Sequence, residues 1–355
     1  MFWAYRPRAR PRPTREKFLP EPGPTWRQAR PAGRASGRDA CLSSRGLPLR
    51  ILVVGATGFI GRRLVALFRA DGHELFLGVR ARTPPSCHFI TIDFTRELDP
   101  QDLACRLAGI DIVVNAAGIL RESPGQSFEA VHDRGARTLF AACVLAGVRK
   151  VIQVSALGAD SAALSQYHRS KRAADDFLAG QAIRWVIVQP SLVFGEGGAS
   201  ARLFATLAAL PVIPLPGMGT QEIQPIHIDD LGQAMLRLIG TDAYDGTRLP
   251  AVGPRAVTLR AWVRSLRAQM GLGTPRFVPI PLAWVRAAAS LTARLPGSPL
   301  DRETLAMLER GNRGNAHAIS SLLERSPRAI DDFIPACVAE RWLTRARLSR
   351  RTVHR

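Results

Sequence analysis

Tyr167 and Lys171 are the two residues whose types and spacing most clearly suggest chemistry. Residues four positions apart share one face of a helix, so the spacing predicts that a phenol and an ammonium lie side by side. A free phenol has a pKa near about 10, and a neighbouring positive charge lowers it toward the neutral range. Ser155, twelve residues before Tyr167, supplies a hydroxyl that can bind a substrate oxygen. The three residues predict an acid–base site, with a Tyr and a Lys on the solvent face of a helix as the alternative.

A second pattern joins the apolar run 51–54 to three glycines, Gly55, Gly58 and Gly61. Where a strand turns into a helix, the first glycine allows a sharp turn and the second lets the backbone approach a pyrophosphate. The third lets the helix pack against the sheet. The N–H groups and the positive dipole end at the start of the helix attract phosphate. This context predicts a dinucleotide site rather than a tight turn alone.

The residues after the next predicted strand bear on which dinucleotide fits. NAD sites usually place an acid there, about 20 residues beyond the glycines, to bind the ribose 2′-hydroxyl. This chain has Arg80 and Arg82 instead, and the nearest acid, Glu74, lies at the start of the strand. Guanidinium groups bind phosphate well, so the two arginines favour NADP, with its 2′-phosphate, over NAD. In a chain this rich in arginine, ordinary surface residues are the alternative.

Two further segments stand at the ends of predicted strands, where parallel sheets bind their ligands. Asp93 follows the third strand and can meet the amino group of adenine, with capping of a turn as the alternative. The small residues Ala116, Ala117 and Gly118 follow the fourth strand and let the backbone pass beside a cofactor. A buried turn is the alternative for this second segment.

Short apolar segments alternate with helical segments through the middle of the chain. Such alternation predicts an α/β fold, a Rossmann-type doubly wound parallel sheet with helices on both faces. The predicted strands are 51–55, 75–79, 89–93, 110–115, 150–155 and 184–189. The predicted helices between them are 59–70, 102–108, 127–146 and 165–179. Mainly helical segments follow at 229–239, 259–270, 281–294 and 301–310.

These patterns divide the chain into three parts. Residues 1–48 are rich in Arg, Pro and Gly and lack both apolar periodicity and a hydrophobic leader, so we expect a disordered basic tail. Residues 49–240 are the predicted NAD(P)-binding Rossmann domain. Residues 241–355 are a small, mainly helical substrate or lid region with a basic tail. Helix 281–294 is apolar with two arginines, which suits either packing as a lid or lying on a membrane.

Composition narrows the class of protein. The formal net charge is +20, yet lysine occurs only at Lys17, Lys150 and Lys171, and arginine supplies the rest of the 49 basic residues. Such one-sided usage points to compositional drift, so we expect no nucleic-acid partner. No run approaches the roughly 20 apolar residues that span a bilayer. The five cysteines contain no CxxC pair, so we expect neither a metal site nor disulfides, as in a cytoplasmic protein.

Together, these motifs resemble the short-chain dehydrogenase/reductase superfamily, in its extended or atypical NAD(P)-binding branch of proteins similar to NAD-dependent epimerases and dehydratases. The resemblance covers about residues 50–240. It is greatest to bacterial proteins similar to the nucleotide-binding accessory subunit of respiratory complex I. Three segments carry that likeness: 154–160, 189–195 and 224–230.

The resemblance implies a role for each candidate residue. The pyrophosphate would be held by Gly55, Thr57, Gly58, Phe59, Ile60 and Gly61. The rest of the cofactor would contact Arg80, Asp93, Ala116, Ala117, Gly118, Pro190 and Val193. The catalytic set would be Ser155, Tyr167 and Lys171, and Lys171 would also bind the nicotinamide ribose.

This chain departs from the pattern of the branch in two places. The helix after the fourth strand has His132 where the branch often has Asn, which would alter a proton relay or its support. The interval from Ser155 to Tyr167 is short for a sugar-nucleotide epimerase, which disfavours a sugar-nucleotide substrate. His227 opens a helix before two acids, and we expect it to be structural rather than catalytic.

Three functions fit these observations. The first is an NAD(P)H-dependent oxidoreductase acting on a small carbonyl or hydroxyl compound, as a monomer or a homodimer. The second is a non-catalytic NAD(P)H-binding protein of a respiratory or quinone-related complex, peripheral to the inner membrane. The third is an epimerase or dehydratase that keeps its cofactor tightly bound.

Overall fold

The computed structural model describes residues 48–80, 88–292 and 302–335, together with residues 339 and 342. The predicted tail 1–48 lies outside these ranges except for its last residue, and Arg82 lies outside them as well. Within the described residues, seven parallel strands form one central sheet with helices on both faces. This architecture confirms the predicted Rossmann-type α/β fold.

The central sheet brings the loops after β1 and β4 together. The strands of the described residues are β1 (Arg50–Val54), β2 (Glu74–Val79), β3 (His88–Thr91), β4 (Ile112–Asn115), β5 (Lys150–Val154), β6 (Arg184–Pro190), β7 (Val193–Phe194), β8 (Val212–Pro216), β9 (Glu222–Ile223), β10 (Ile226–His227), β11 (Thr247–Ala251), β12 (Val257–Thr258) and β13 (Arg276–Ile280). The order in the sheet is β11-β6-β5-β4-β1-β2-β3. Strands β1 to β3 are added toward one edge and β4 to β6 toward the other, so the strand order reverses between β1 and β4. Doubly wound proteins bind their ligands at such a switch point.

Helices cover both faces of this sheet. The helices of the described residues are α1 (Phe59–Ala70), α2 (Pro100–Arg106), α3 (Gly135–Leu145), α4 (Gln166–Ala179), α5 (Ala199–Ala208), α6 (Ile228–Ile239), α7 (Leu259–Gln269), α8 (Leu282–Thr292), α9 (Arg302–Arg310) and α10 (His317–Leu323), with a π-helix at Glu129–Arg134 and a 3₁₀ turn at Ile330–Asp332. One face packs under α1, α6 and α10, and the other under α2, α3 and α4. Among the helices just given, none combines the length and apolarity needed to cross a bilayer.

β1 shows why the centre of the sheet is apolar on both faces. Ile51 and Val53 pack into the core beneath α1 and α6, while Leu52 and Val54 pack into the core beneath α3. Each of the four is at most 2% exposed. Continuous apolar runs of this kind are typical of strands in parallel sheets. Burial of β1 fixes the position of the glycine turn that follows it.

The C-terminal part of the described chain has an aromatic core of its own. Trp262 of α7 is fully buried, and its ring centroid lies 5.2 Å from that of Phe194 and 5.3 Å from that of Phe333. Ile213 and Leu215 of β8 belong to the same apolar cluster. This second core packs α5 and α7 together with the last described turn.

Several elements differ from the sequence-based prediction. The predicted helix 127–146 begins as the π-helix Glu129–Arg134. A π-helical turn has almost the same residue composition and apolar spacing as an α-helical one, so the sequence does not distinguish the two. The predicted strand 150–155 ends at Val154, which places Ser155 in the following loop. The seventh strand, β11, is not among the predicted strands because Arg248 and Pro250 interrupt its apolar pattern. A proline is tolerated there because β11 forms the edge of the sheet.

The contact of α1 with the glycine turn generates a prediction about stability. A Cβ at Gly61 would lie 2.1 Å from the carbonyl oxygen of Gly55. We therefore expect Gly61→Ala to lower the free energy of unfolding by about 1–3 kcal/mol, the usual cost of overpacking a close-packed core. Urea unfolding measures the change. Gly273→Ala is the control, since a Cβ there meets no atom within 4 Å; equal stability of the two variants would contradict the packing argument.

Candidate active site

The glycine turn after β1 is held against the turn after β4. Gly55 adopts a φ of +77°, which L side chains rarely adopt, and a Cβ there would lie 2.8 Å from the backbone of Ala117. Gly58 caps α1 without a side-chain hydrogen bond, and its N–H donates to the carbonyl oxygen of Gly55 at 2.9 Å. The first turn of a helix has N–H groups without intrahelical partners. This turn therefore offers bare backbone donors at the carboxyl edge of the sheet.

The other predicted pyrophosphate residues occupy two kinds of position. Thr57 is exposed at the start of the turn, whereas Phe59 and Ile60 are half-buried in the first turn of α1. The Phe59 ring lies where side chains at Gly195 and Gly198 would be, 3.4 and 3.0 Å from the Cβ positions. The side chain of Phe59 thus packs the glycine turn against the loop after β7. Its backbone is part of the first turn of α1.

Arg80 and Asp93 lie on the β2–β3 side of the sheet. Arg80 directly follows β2 and is exposed. The Oδ1 atom of Asp93 accepts hydrogen bonds from the backbone N–H of Thr95 at 3.0 Å and from its hydroxyl at 2.7 Å. These contacts match the capping alternative for Asp93, and its contact with adenine stays a prediction.

The turn after β4 connects the glycine turn to α4. Asn115 is buried; its Nδ2 donates to Oε1 of Gln153 at 2.9 Å, and its Oδ1 accepts from the Ala117 N–H at 3.2 Å. A Cβ on Gly118 would lie only 3.1 Å from Nζ of Lys171. The segment 116–118 therefore touches Gly55 on one side and Lys171 on the other.

Lys171 projects from α4 into the buried edge of the sheet. The residue is 4% exposed, and its Nζ donates to the carbonyl oxygens of Val154 at 3.1 Å and Ala117 at 3.4 Å. Burial disfavours the ammonium and lowers the pKa of Lys171 to about 8, against the opposing effect of the Asp175 charge. Lys171 thus keeps a charge in a place with little water.

Tyr167 lies one turn before Lys171, as the spacing predicts, among three other rings. The centroid of the Tyr167 ring is 5.3 Å from those of His132 and His168 and 5.8 Å from that of Phe128, all in edge contacts. Burial and the charge of Asp175 raise the pKa of Tyr167 to about 12, whereas the sequence predicts that the neighbouring charge of Lys171 lowers it toward the neutral range. The phenol is therefore protonated at neutral pH and can donate a proton.

Ser155, in the loop after β5, forms a buried hydrogen bond with Asp175 of α4. Ser155 is 5% exposed, Asp175 is fully buried, and the Ser155 hydroxyl donates to Oδ2 of Asp175. Burial raises the pKa of Asp175 to about 7, while the hydrogen bond from Ser155 and the charges of Lys171 and Arg248 act in the opposite direction. Asp175 is not among the site residues predicted from the sequence. The available signal is that Tyr167, Lys171 and Asp175 continue one series with a spacing of four.

His132 joins the turn after β4 to α4 by hydrogen bonds, in addition to its edge contact with the Tyr167 ring. The N–H of Ile119 donates to Nε2 of His132 at 2.9 Å, so the ring proton is assigned to Nδ1, which faces the Ser170 hydroxyl at 3.0 Å. Ser170 in turn donates to the carbonyl oxygen of Tyr167 at 2.9 Å. Burial and the Lys171 charge lower the pKa of His132 to about 2. His132 is therefore neutral and supports the backbone of α4.

The remaining predicted residues border the site from β6 onward. Pro190 ends β6 and is buried, with its carbonyl oxygen accepting from the N–H of Leu157 at 2.9 Å, and Val193 opens β7 half-buried. His227 caps α6 through Nδ1, which accepts from the N–H of Asp229 at 3.2 Å. That contact is a capping contact, and the structural role of His227 stays a prediction.

An arginine of α9 clamps the loop that leads into α4. Nη2 of Arg310 lies 2.7 Å from each carboxylate oxygen of Asp160, and its Nη1 donates to the carbonyl oxygen of Gly158 at 2.8 Å. This contact is not among those predicted from the sequence, because its partners are 150 residues apart in the chain. It fixes the loop that joins Ser155 to Tyr167.

Comparison with known proteins finds sequences similar to this chain over about two thirds of its length. A family model described as NAD(P)H-binding matches residues 55–205. Ceramide reductase of Caulobacter vibrioides is 30% identical over 248 residues, which cover 68% of this chain and 76% of that protein. Subunit 9 of the mitochondrial NADH dehydrogenase (ubiquinone) 1 alpha subcomplex of Arabidopsis thaliana is 25% identical over 248 residues, which cover 67% of this chain and 62% of that protein.

Solved structures share the fold at low sequence identity. Human epimerase family protein SDR39U1 with NADPH has a TM-score of 0.65 at 22% identity, covering 82% of this chain and 99% of that one. A nucleoside-diphosphate-sugar epimerase from Staphylococcus aureus has a TM-score of 0.66 at 16% identity, covering 81% and 99%. With its matched glycine turn, its parallel sheet and its curated relatives, this chain belongs to the NAD(P)H-binding family of Rossmann-fold proteins.

Proposed function

We propose that this protein is an NAD(P)H-dependent oxidoreductase that interconverts a small carbonyl compound and its alcohol. The observation that carries the proposal is the position of the turn 116–118, which touches Gly55 on one side and Lys171 on the other. The turn that borders the proposed cofactor site thus also borders the acid–base pair. A 30% identical relative named ceramide reductase supports this reaction class.

Tyr167 is the proposed general acid for the reduction. Its phenol is protonated at neutral pH, so it can donate a proton to the substrate oxygen as that oxygen gains charge. The nearby Lys171 ammonium stabilises the phenolate that remains and thereby eases the transfer. Ser155 orients the substrate oxygen, which requires its hydroxyl to rotate away from Asp175.

The described residues fit a dinucleotide. Gly55 and Gly61 have no room for a side chain, and Gly58 opens α1 with bare backbone, as close contact with a pyrophosphate requires. The residues proposed to hold the cofactor are Gly55, Thr57, Gly58, Phe59, Ile60, Gly61, Arg80, Asp93, Ala116, Ala117, Gly118, Lys171, Pro190 and Val193. When bound, the nicotinamide cofactor supplies or accepts the hydride.

NADP is the proposed form of that cofactor. Arg80 stands exposed at the end of β2, where a guanidinium can bind a 2′-phosphate. The structural neighbours do not decide between the two forms, since one was solved with NADPH and another with NAD. The proposal for NADP therefore rests on Arg80.

A second candidate function is that of an NAD(P)H-binding partner of a membrane-bound respiratory complex. Relatives from Arabidopsis thaliana and Mus musculus, 25% and 24% identical, are named as subunit 9 of the NADH dehydrogenase alpha subcomplex. Trp284 on α8 is 73% exposed and offers an apolar contact. Affinity purification of the full chain from membranes tests this candidate: recovery of respiratory subunits in fixed ratio favours it, and their absence counts against it.

The cofactor proposal predicts a preference that one arginine controls. We expect NADPH to bind the full chain more tightly than NADH, and Arg80→Ala to weaken NADPH binding about 10- to 100-fold, because hydrogen bonds to a charged group contribute about 1.5–3 kcal/mol. Binding of NADH is expected to stay unchanged. Calorimetric titration measures both, with the exposed Arg264→Ala as the control variant. Equal affinities of the wild-type chain for the two cofactors would contradict the assignment.

The mechanism predicts the effect of removing one hydroxyl. We expect Tyr167→Phe to lower kcat by about 10²- to 10⁴-fold, the usual contribution of a general acid, with NADPH affinity unchanged. NADPH consumption is followed with a panel of ketones and aldehydes that includes ceramide-type lipids, chosen because one relative is named ceramide reductase.

Tyr244→Phe is the matched control for this variant, since Tyr244 lies before β11 and away from α4. Full turnover by Tyr167→Phe on a substrate that the wild-type chain reduces would contradict the proposed mechanism.

A further inference from the structure

One face of α4 carries three titratable side chains on successive turns. Tyr167, Lys171 and Asp175 follow each other at intervals of four, and Asp175 is 0% exposed at the inner end of the series. Across from it, at the end of β5, Ser155 donates its hydroxyl proton to Oδ2 of Asp175. A single carboxylate thus connects two members of the proposed catalytic set.

A hydrogen bond to Ser155 alone does not explain a carboxylate at this position. Oδ1 of Asp175 is buried and has no hydrogen-bond partner among the residues that the structure describes. Burial of a carboxylate with one oxygen unsatisfied is unfavourable, and a neutral amide of the same shape would accept the same bond from Ser155. Proteins place such groups at sites where the charge itself acts on a neighbour.

Lys171 is the neighbouring group whose charged form a carboxylate would stabilise. Its ammonium is buried, and its two hydrogen bonds go to neutral carbonyl oxygens, of Val154 and Ala117. Removal from water disfavours the charged form, and the carboxylate one turn along α4 opposes that effect. The other charges that act on Asp175 are Arg248 on β11 and the adjacent Asp176. These two groups form an ion pair, in which Arg248 donates to Oδ1 of Asp176.

We propose that Asp175 is a positioning residue of this site: its carboxylate keeps the Lys171 ammonium charged in the buried interior. The inference rests on the proposed function, because it assigns Asp175 a role through Lys171, a residue of that mechanism. Asp175 itself touches neither substrate nor cofactor in this scheme.

The sign of the effect follows from the charges. Asp175 raises the pKa of Lys171 toward its usual value, so Asp175→Asn removes the opposition to burial and lowers that pKa further. The Lys171 ammonium of the variant then loses its proton at a lower pH than in the wild-type chain. Asp175→Glu retains the charge and is expected to restore the wild-type behaviour.

Lysine NMR tests this directly, because the chain contains only Lys17, Lys150 and Lys171. The ε-carbon signals of the full chain, labelled with ¹³C-lysine, are followed against pH and assigned with Lys17→Arg and Lys150→Arg. We expect the Lys171 midpoint to fall by about 1–3 pH units in Asp175→Asn, the range for loss of a close opposite charge. The exposed Asp102 of α2 supplies the control, Asp102→Asn, whose Lys171 midpoint is expected to match the wild type.

An unchanged Lys171 midpoint in Asp175→Asn would overturn the proposal and leave Asp175 with a packing role only. If that variant does not fold, the wild-type titration decides: the Lys171 signal is expected to show a second inflection as Asp175 ionises, and a single inflection would overturn the proposal. Both readouts differ from the test of the proposed function. Full turnover by Tyr167→Phe would refute the reductase mechanism and leave the Lys171 titration unaltered.

Discussion

The close approach of two backbone turns at the carboxyl edge of the sheet governs the rest of this structure. Gly55 has no room for a side chain because a Cβ would lie 2.8 Å from the backbone of Ala117, and Gly61 has none because α1 packs against Gly55 itself. β1 and β4 are neighbours in the sheet, so their turns must meet. The turn after β4 then continues to Gly118, beside the ammonium of Lys171. Backbone packing thus brings a dinucleotide-type turn and the ammonium of Lys171 to one edge.

Burial determines the electrostatics of this edge. It lowers the pKa of Lys171 to about 8 and that of His132 to about 2, and it raises the pKa of Tyr167 to about 12. At neutral pH these shifts correspond to a protonated phenol, an uncharged imidazole and a charged amine. The hydrogen bonds agree with this assignment, since Nε2 of His132 accepts a hydrogen bond from the N–H of Ile119 while Lys171 donates to two carbonyl oxygens. Each group is in the form that a proton donor supported by a cation requires.

The fold and the cofactor turn could be predicted from the sequence because both follow from local patterns. Apolar runs, glycine spacing and the interval between Tyr167 and Lys171 need only neighbouring residues for their interpretation. Asp175 could not be predicted in this way, since the pair Asp175-Asp176 is typical of a solvated helix face. Asp175 is buried only because α4 packs against the sheet. The clamp of Arg310 on Asp160 depends on contacts between distant parts of the chain. The edge strand β11 carries Arg248 and Pro250, which hide its pairing with β6.

The most direct measurement is the effect of NADPH on the lysine ε-carbon signals of the full chain. If the glycine turn and α4 form one site, saturating NADPH shifts the Lys171 signal along a single binding curve. The Lys150 signal stays in place, because its ammonium is bound to Asp245 and to the carbonyl oxygen of Thr241. Binding of NADPH by calorimetry with no change at Lys171 would contradict the account, because it would separate the cofactor from the proposed acid–base pair.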